Sequence, residues 1–325
     1  MHDTIKKRIT GPIFSIIIPF LKTGEIDYIS LKKYINFLHK RGAKVFYLMV
    51  YNSRFTLLEE KEIIKLNIFC IREIKKLSKN NIVICAEPYH CSTKKSIFFA
   101  NLFHKKGADI VSLIFGEKYY SDFQVYKHFK TVHQNTRGHL LLHQQVLENG
   151  SKANPAYCFY SISLLNKICS LNKFIAMKED SKNEKFTKNI CKKLKKKIII
   201  ITSGNGKRQW LKANKYGCQS WLSGISNLDP KIAIDFYINF NEKNKDYLKK
   251  YFKYLENPFF NLIKKYGWHL TIKGFLQAYG HFDRFERPPL LEVDNTQFKI
   301  IKKMSKKLYL NSKKLHTRGY FKEFI

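Results

Sequence analysis

The chain has no long apolar segment, and its cysteines form no CxxC pair. The first residues, from Met1 to Arg8, are mostly polar, and no run of about 20 apolar residues follows them. We therefore expect neither a signal peptide nor a membrane span. The seven cysteines are scattered along the 325 residues, which is typical of reduced core thiols. These absences predict a cytoplasmic protein.

Acidic residues are scarce: 25 Asp and Glu stand against 60 Lys and Arg, for a formal net charge of +35. Such an excess is one signature of nucleic-acid binding. Here the lysines are spread over the whole chain, and arginine, the better reader of phosphates and base edges, is rare. Nucleic-acid binding is therefore an alternative that rests on charge alone, and we expect no nucleic-acid partner.

No GxGxxG motif follows the first predicted strand, which argues against an open dinucleotide-binding sheet. Short apolar runs instead alternate with segments of helical period. The predicted strands are 13–18, 45–50, 82–86, 109–114, 139–143, 173–178, 198–202 and 218–222. Continuous apolar strands separated by helices indicate a parallel sheet, and eight strands close a (β/α)₈ barrel, the TIM barrel.

The predicted helices lie between these strands and beyond the last one. Their ranges are 27–40, 58–77 with Thr56 as its cap, 92–106, 121–133, 161–170, 183–195, 207–215, 230–240, 243–266, 268–280 and 294–313. An irregular segment precedes the helix at 161–170. The predicted division is a barrel over 1–240 and a C-terminal helical extension over 241–325 that packs on it.

The stretch from Phe174 to Asp180 is an apolar run that ends on Lys178, followed by a charged turn. Burial disfavours the ammonium form of a lysine and lowers its pKa. A neutral lysine is a nucleophile that condenses with ketones to a Schiff base. The alternative is a strand-end lysine that extends its amine to water. Because barrel strands end at the active face, the predicted fold favours the catalytic interpretation.

A further signal comes from seven short stretches in a fixed order. They are Ile18-Pro19-Phe20 with Gly24 and Asp27, Thr56 to Glu60, Gly107-Ala108-Asp109, Lys178-Glu179, Ser203-Gly204-Asn205, Gly224-Ile225-Ser226 and Arg287 to Leu290. They resemble motifs of the dihydrodipicolinate synthase and N-acetylneuraminate lyase family of class I aldolases. The resemblance implies a TIM barrel, a Schiff base on Lys178 with a 2-keto acid such as pyruvate, and a homotetramer or homodimer.

The chain departs from the family pattern after the second predicted strand. Where the family has GTTGE, the chain reads Met49 to Arg54 without a glycine, so the family's nest of backbone amides is not expected. We predict that Tyr51, Asn52, Ser53 and Arg54 bind substrate instead. Arg54 is the candidate clamp for a carboxylate, through paired hydrogen bonds, and the alternative is a surface arginine.

A second departure lies at the end of the fifth predicted strand. His143 stands where the family's YNxP motif has a tyrosine that relays protons. A histidine can move protons at neutral pH, although a lone histidine is more often structural. Ser203, Gly204 and Ser226 are predicted to line the barrel mouth. An insertion around 148–157 falls beside the predicted site.

Together these residues predict a class I lyase, cleaving or forming a carbon–carbon or carbon–oxygen bond, that acts on a 2-keto acid or a sugar-derived substrate. Three converging zinc ligands cannot be assembled from the sequence, and we expect neither a metal nor an organic cofactor. The lost GTTGE and YNxP motifs argue against dihydrodipicolinate synthase activity itself. The alternative is a non-catalytic or regulatory barrel that binds a sugar acid or keto acid.

Overall fold

In the part of the chain that the structure describes, eight of the ten strands form a closed parallel barrel. The computed structural model describes residues 2–117, 121–145, 147–149, 156–202, 206–316 and 320–321. The strands, in chain order, are Gly11–Ser15 (β1), Val45–Leu48 (β2), Ile82–Ala86 (β3), Ile110–Leu113 (β4), His139–Gln144 (β5), Leu147–Asn149 (β6), Ala156–Cys158 (β7), Phe174–Glu179 (β8), Ile199–Thr202 (β9) and Ser220–Leu222 (β10). Around the barrel the order is β1, β2, β3, β4, β5, β8, β9 and β10, so the predicted fold class is confirmed.

Helices follow the barrel strands and continue beyond β10. They are His2–Arg8 (α1), Tyr28–Lys40 (α2), Glu60–Leu77 (α3), Thr93–Lys105 (α4), Asp122–Asn135 (α5), Ile162–Ile168 (α6), Glu184–Leu194 (α7), Gly206–Asn214 (α8), Lys231–Asn241 (α9), Lys245–Tyr251 (α10), Asn257–Tyr266 (α11), Trp268–Ala278 (α12) and Asn295–Ser312 (α13). Short 3₁₀ turns cover Phe55–Leu57 and Gly224–Asn227.

The barrel strands are held by their apolar side chains. All residues of β2, β3, β4, β8 and β9 are buried, as expected for parallel strands that are covered on both faces. The register between β5 and β8 sets His143 opposite Lys178 at the carboxyl ends of both strands. Two residues that the sequence singled out are thereby brought side by side.

Two compact units divide the chain. The first comprises Met1–Ile13, Lys44–Tyr51 and Leu58–Leu222, and contains nearly all of the barrel sheet. The second comprises Phe14–Ala43, Asn52–Leu57 and Ser223–Ile325. In the second unit, the Arg41 guanidinium pairs with the Asp229 carboxylate, which also accepts the backbone N–H of Phe321. These boundaries differ from the predicted break after residue 240, and that division remains a prediction.

The structure corrects three local predictions. The segment expected to be irregular contains an antiparallel pair, β6 with β7, in which Leu147 stands opposite Cys158. Helix α3 is capped by Glu59 rather than by Thr56, since the Glu62 side chain accepts the Glu59 backbone N–H at 2.9 Å. Helix α1 was not predicted, because its mostly polar sequence has no clear apolar face.

The helix predicted over 243–266 is interrupted by a π-helical turn, Phe252–Glu256, between α10 and α11. There the Asn257 backbone N–H bonds to the Phe252 carbonyl, five residues back. Pro258 follows in the first turn of α11 and has no N–H to donate, which explains why the regular ladder is broken at this point.

Within the described ranges, no helix has both the length and the apolar character that crossing a membrane requires. Nor do three or more His, Cys, Asp or Glu side chains converge there as metal ligands.

Candidate active site

Lys178 lies near the carboxyl end of β8, which pairs with β5 on one side and β9 on the other. The apolar residues from Phe174 to Met177 fill the strand and bury it. The Lys178 side chain itself has a relative exposure of 0%. The lysine therefore occupies the end of a buried barrel strand, the position from which a catalytic role was predicted.

Three polar side chains form a compact cluster at this strand end: Lys178, His143 and Asp180. The Lys178 Nζ lies 2.6 Å from the His143 Nε2 and 2.7 Å from the Asp180 Oδ2. The His143 Nε2 lies 3.5 Å from the same Asp180 oxygen. An ammonium group can only donate, so the His143 Nε2 accepts its hydrogen bond and the ring proton lies on Nδ1. That Nδ1 has no hydrogen-bond partner among the described residues.

The electrostatics of the cluster set the protonation states of its three side chains. Burial lowers the pKa of Lys178 below its ordinary value, and the Asp180 carboxylate opposes that shift. Burial, reinforced by the Lys178 charge, lowers the pKa of His143 to about 4. Burial alone would raise the pKa of Asp180, but the Lys178 ammonium and His143 hold it well below the usual range. At neutral pH, Asp180 is therefore ionised and His143 is a neutral acceptor.

Tyr51 lies beside this cluster in the same compact unit. Its hydroxyl donates to the Gln145 Oε1 at 2.9 Å, and the Gln145 Nε2 donates to the Tyr89 hydroxyl at 2.8 Å. The Tyr51 ring stands edge-on to His143, with ring centroids 6.3 Å apart. Burial raises the pKa of Tyr51, so its hydroxyl stays neutral. Tyr51, His143 and Lys178 thus lie close together in the first compact unit.

Asn52 and Ser53 belong to the second compact unit and are buried there. The Asn52 Nδ2 donates to the Ser15 Oγ at 2.8 Å, and its Oδ1 accepts from the Trp268 Nε1 at 3.2 Å. The Ser53 hydroxyl donates to the Ile16 carbonyl at 2.9 Å. These bonds tie the segment after β2 to its own unit, which supports a structural role for both residues.

Arg54 is buried, contrary to the alternative of a surface arginine. Its guanidinium donates to both oxygens of Glu286, at 3.3 Å and 2.9 Å, and Lys273 approaches the same carboxylate at 3.5 Å. Its backbone adopts the left-handed conformation, with φ of 57°. The Arg54 guanidinium was predicted to bind a substrate carboxylate, but in the structure it already binds the carboxylate of Glu286.

Ser226 is buried in the 3₁₀ turn Gly224–Asn227, where its backbone N–H donates to the Ser223 carbonyl at 3.0 Å. The predicted residues Ser203 and Gly204 lie outside the described residues.

Sequence reasoning missed Asp180, Gln145 and Tyr89. The first two stand two residues beyond Lys178 and His143 respectively. Each lies one residue beyond the end of its strand, β8 or β5, and an extended backbone that continues the strand's period of two could have placed both near their predecessors. No comparable pattern marks Tyr89, whose partner Gln145 is 56 residues away.

A closed parallel barrel with a buried lysine at a strand end is a fold and site typical of TIM-barrel enzymes. Residues 8–308 match the model of the Dihydrodipicolinate synthetase family, and the chain therefore belongs to that family. It is an enzyme of the family's lyase and synthase type, which confirms the resemblance drawn from the short motifs.

Individual relatives agree with this placement. Over 311 residues the chain is 28% identical to the 4-hydroxy-tetrahydrodipicolinate synthase of Karelsulcia muelleri (strain GWSS), covering 94% of this chain and 97% of the relative. The solved 4-hydroxy-tetrahydrodipicolinate synthase of Methylacidiphilum fumariolicum SolV superimposes with a TM-score of 0.81 at 18% identity, over 96% of this chain and 99% of that one.

The chloride-inhibited dihydrodipicolinate synthase of Acinetobacter baumannii, solved in complex with pyruvate, gives a TM-score of 0.79 at 18% identity. The match covers 92% of this chain and 99% of that chain. Because both solved structures are only 18% identical to this chain, they support the fold alone.

Proposed function

We propose that this protein is a class I lyase or aldolase that forms a Schiff base between Lys178 and a 2-keto acid. The observation that carries the proposal is the contact of the buried Lys178 Nζ with the His143 Nε2 at 2.6 Å. It pairs a nucleophile with a base inside hydrogen-bond distance. His143 is the proton relay in place of the tyrosine that the family motif would supply.

Pyruvate is the first candidate substrate. It is the ligand of the Acinetobacter baumannii relative, and the family resemblance implies it. Tyr51 is a candidate substrate-binding residue in the same compact unit as this cluster, and its ring stands edge-on to that of His143. Other 2-keto acids and sugar-derived keto acids are the next candidates. A homotetramer or homodimer in the cytoplasm is the proposed working form, and light scattering of the purified chain would measure the assembly.

Isotope exchange tests this proposal without knowledge of a second substrate. An iminium acidifies the neighbouring carbon, so the enzyme is expected to exchange the C3 hydrogens of pyruvate in D₂O, as followed by NMR. Free pyruvate at the same pH supplies the background rate. Saturable pyruvate binding without exchange above background would favour the alternative, a barrel that binds keto acids but does not turn them over.

The carboxylate-clamp hypothesis and the Glu286 ion pair predict different results for Arg54→Lys. A clamp would be lost without a change in stability. The ion pair predicts that the free energy of unfolding falls by about 1.5–3 kcal/mol, since lysine cannot replace two parallel hydrogen bonds. We expect the second result, with the KM for pyruvate nearly unchanged.

Denaturant unfolding and exchange kinetics on the same variant distinguish these outcomes. Arg72→Lys is the matched control, because the Arg72–Glu73 pair is largely exposed on its arginine side, at 57%. Its stability is expected to stay within about 1 kcal/mol of the parent. If Arg54→Lys raises the KM for pyruvate and leaves the stability unchanged, Arg54 binds the substrate carboxylate.

A further inference from the structure

The geometry points to Asp180 as a positioning residue for the reaction. It holds the Lys178 ammonium against His143 before the keto acid arrives, and it neutralises the iminium that forms on Lys178 afterwards. This inference rests on the proposed function and adds to it a residue that the motif comparison with the family did not single out.

Asp180 is placed to act on both partners at once. Its Oδ2 lies 2.7 Å from the Lys178 Nζ and 3.5 Å from the His143 Nε2. Its side chain is 18% exposed, whereas those of Lys178 and His143 are 0% exposed. A carboxylate so largely removed from water acts on neighbouring charges more strongly than a surface carboxylate does.

The neighbouring carboxylate, Glu179, has a different task. Its Oε1 accepts the Ser181 backbone N–H at 2.7 Å, and its Oε2 accepts the Thr187 hydroxyl at 2.6 Å. These bonds fasten the turn between β8 and α7. Among the described residues, Asp180 is therefore the carboxylate in direct contact with Lys178.

The proton balance of imine formation gives Asp180 a defined role. Lys178 passes one ammonium proton to the His143 Nε2, and the free amine attacks the C2 carbonyl. The N–C bond forms, the carbonyl oxygen takes a second proton from nitrogen, and a carbinolamine results. The imidazolium then protonates the hydroxyl, the C–O bond breaks, and water leaves. The positive charge that began on the ammonium ends on the iminium, beside the Asp180 carboxylate throughout.

The charge of Asp180 also fixes the pH at which Lys178 becomes a nucleophile. A carboxylate favours the ammonium form, so its removal leaves the amine neutral at lower pH. On the acid side of the pH profile, called the acid limb below, the rate of imine formation rises as Lys178 loses its proton. Among the described residues, the titratable groups that interact with Asp180 or Lys178 include His143, Tyr47, Tyr51, Glu179 and Lys182.

The test is the pH profile of pyruvate C3 exchange in Asp180→Asn. The acid limb is expected to move down by about 1–3 pH units, because an opposite charge in contact shifts a pKa by that amount. The limiting rate is expected to fall by roughly 10²-fold, because the iminium loses its counter-charge. Asp180→Glu keeps the charge and should return the limb towards that of the parent. If Asp180→Asn does not fold, Asp180→Ser replaces it.

Glu184→Gln is the matched control. It removes one negative charge from the start of α7, where Glu184 pairs with Lys212 and is 62% exposed. Its profile should coincide with that of the parent. An unshifted acid limb in Asp180→Asn, with the parent exchanging normally, would overturn the inference and leave the proposed function intact.

A second measurement distinguishes a failure of the proposed function from a failure of the inference about Asp180. Trace labelling with acetic anhydride reports the titration of Lys178 at the peptide level and needs no substrate. If the parent shows no exchange, the proposed function fails, while a lowered labelling midpoint in Asp180→Asn still supports the charge effect. Equal midpoints in the two proteins would refute it.

Discussion

Lys178→Arg is expected to abolish turnover, deuterium exchange into pyruvate and the trapping of pyruvate on the protein by borohydride. The expected rate loss is roughly 10⁴–10⁶-fold. The guanidinium stays charged and cannot form an imine. It can still pair with Asp180, so the fold should survive. The effect should therefore appear in the chemistry and not in the free energy of unfolding, which denaturant titration would check.

Lys212→Arg is the matched control for this variant. Lys212 is 63% exposed and pairs with Glu184 at 2.9 Å, away from the cluster of Lys178, His143 and Asp180. The Lys212→Arg enzyme is expected to exchange the C3 hydrogens of pyruvate at the rate of the parent. Residual exchange in Lys178→Arg above the background of free pyruvate would mean that another amine, or no amine, carries the reaction.

His143→Phe is the second variant with a large expected effect. It removes the group that takes the Lys178 proton and returns it to the leaving hydroxyl, so turnover should fall by roughly 10²–10⁴-fold. The phenyl ring keeps an aromatic side chain in the buried site. Single-turnover kinetics should show slow imine formation rather than weak binding of pyruvate.

His133→Phe serves as the control, since the His133 ring bonds to Asn172 at the surface. It should leave the exchange rate at the parent value. A His143→Phe enzyme with parent turnover would assign His143 to a structural role, and the relay would then have to be sought in Tyr51 or Asp180.

The barrel and its lysine could be predicted because both depend on local patterns. The apolar run from Phe174 to Met177 and its neighbours alternate with helical segments, and that alternation is sufficient to indicate parallel strands. The pair β6 with β7 was missed because three-residue strands are too short for their period to show.

The surroundings of the site were harder to predict because they depend on distant pairings. Arg54 and Glu286 are 232 residues apart, and no spacing in the sequence connects them. The arginine was therefore interpreted as a ligand for substrate. Asp180 could have been found, since continuing the period of β8 by one residue would place it on the side of Lys178, but a single carboxylate in a charged turn is not distinctive on its own.

Borohydride trapping tests the central claim most directly. The enzyme is incubated with pyruvate at neutral pH, reduced, digested and mapped by mass spectrometry. We expect one reduced pyruvate remnant on Lys178 alone, because exposed lysines, with a pKa of about 10.4, remain protonated. If Lys178 stays unmodified across a panel of 2-keto acids and keto-deoxy sugar acids, or if surface lysines are labelled equally, Lys178 is not the Schiff-base lysine.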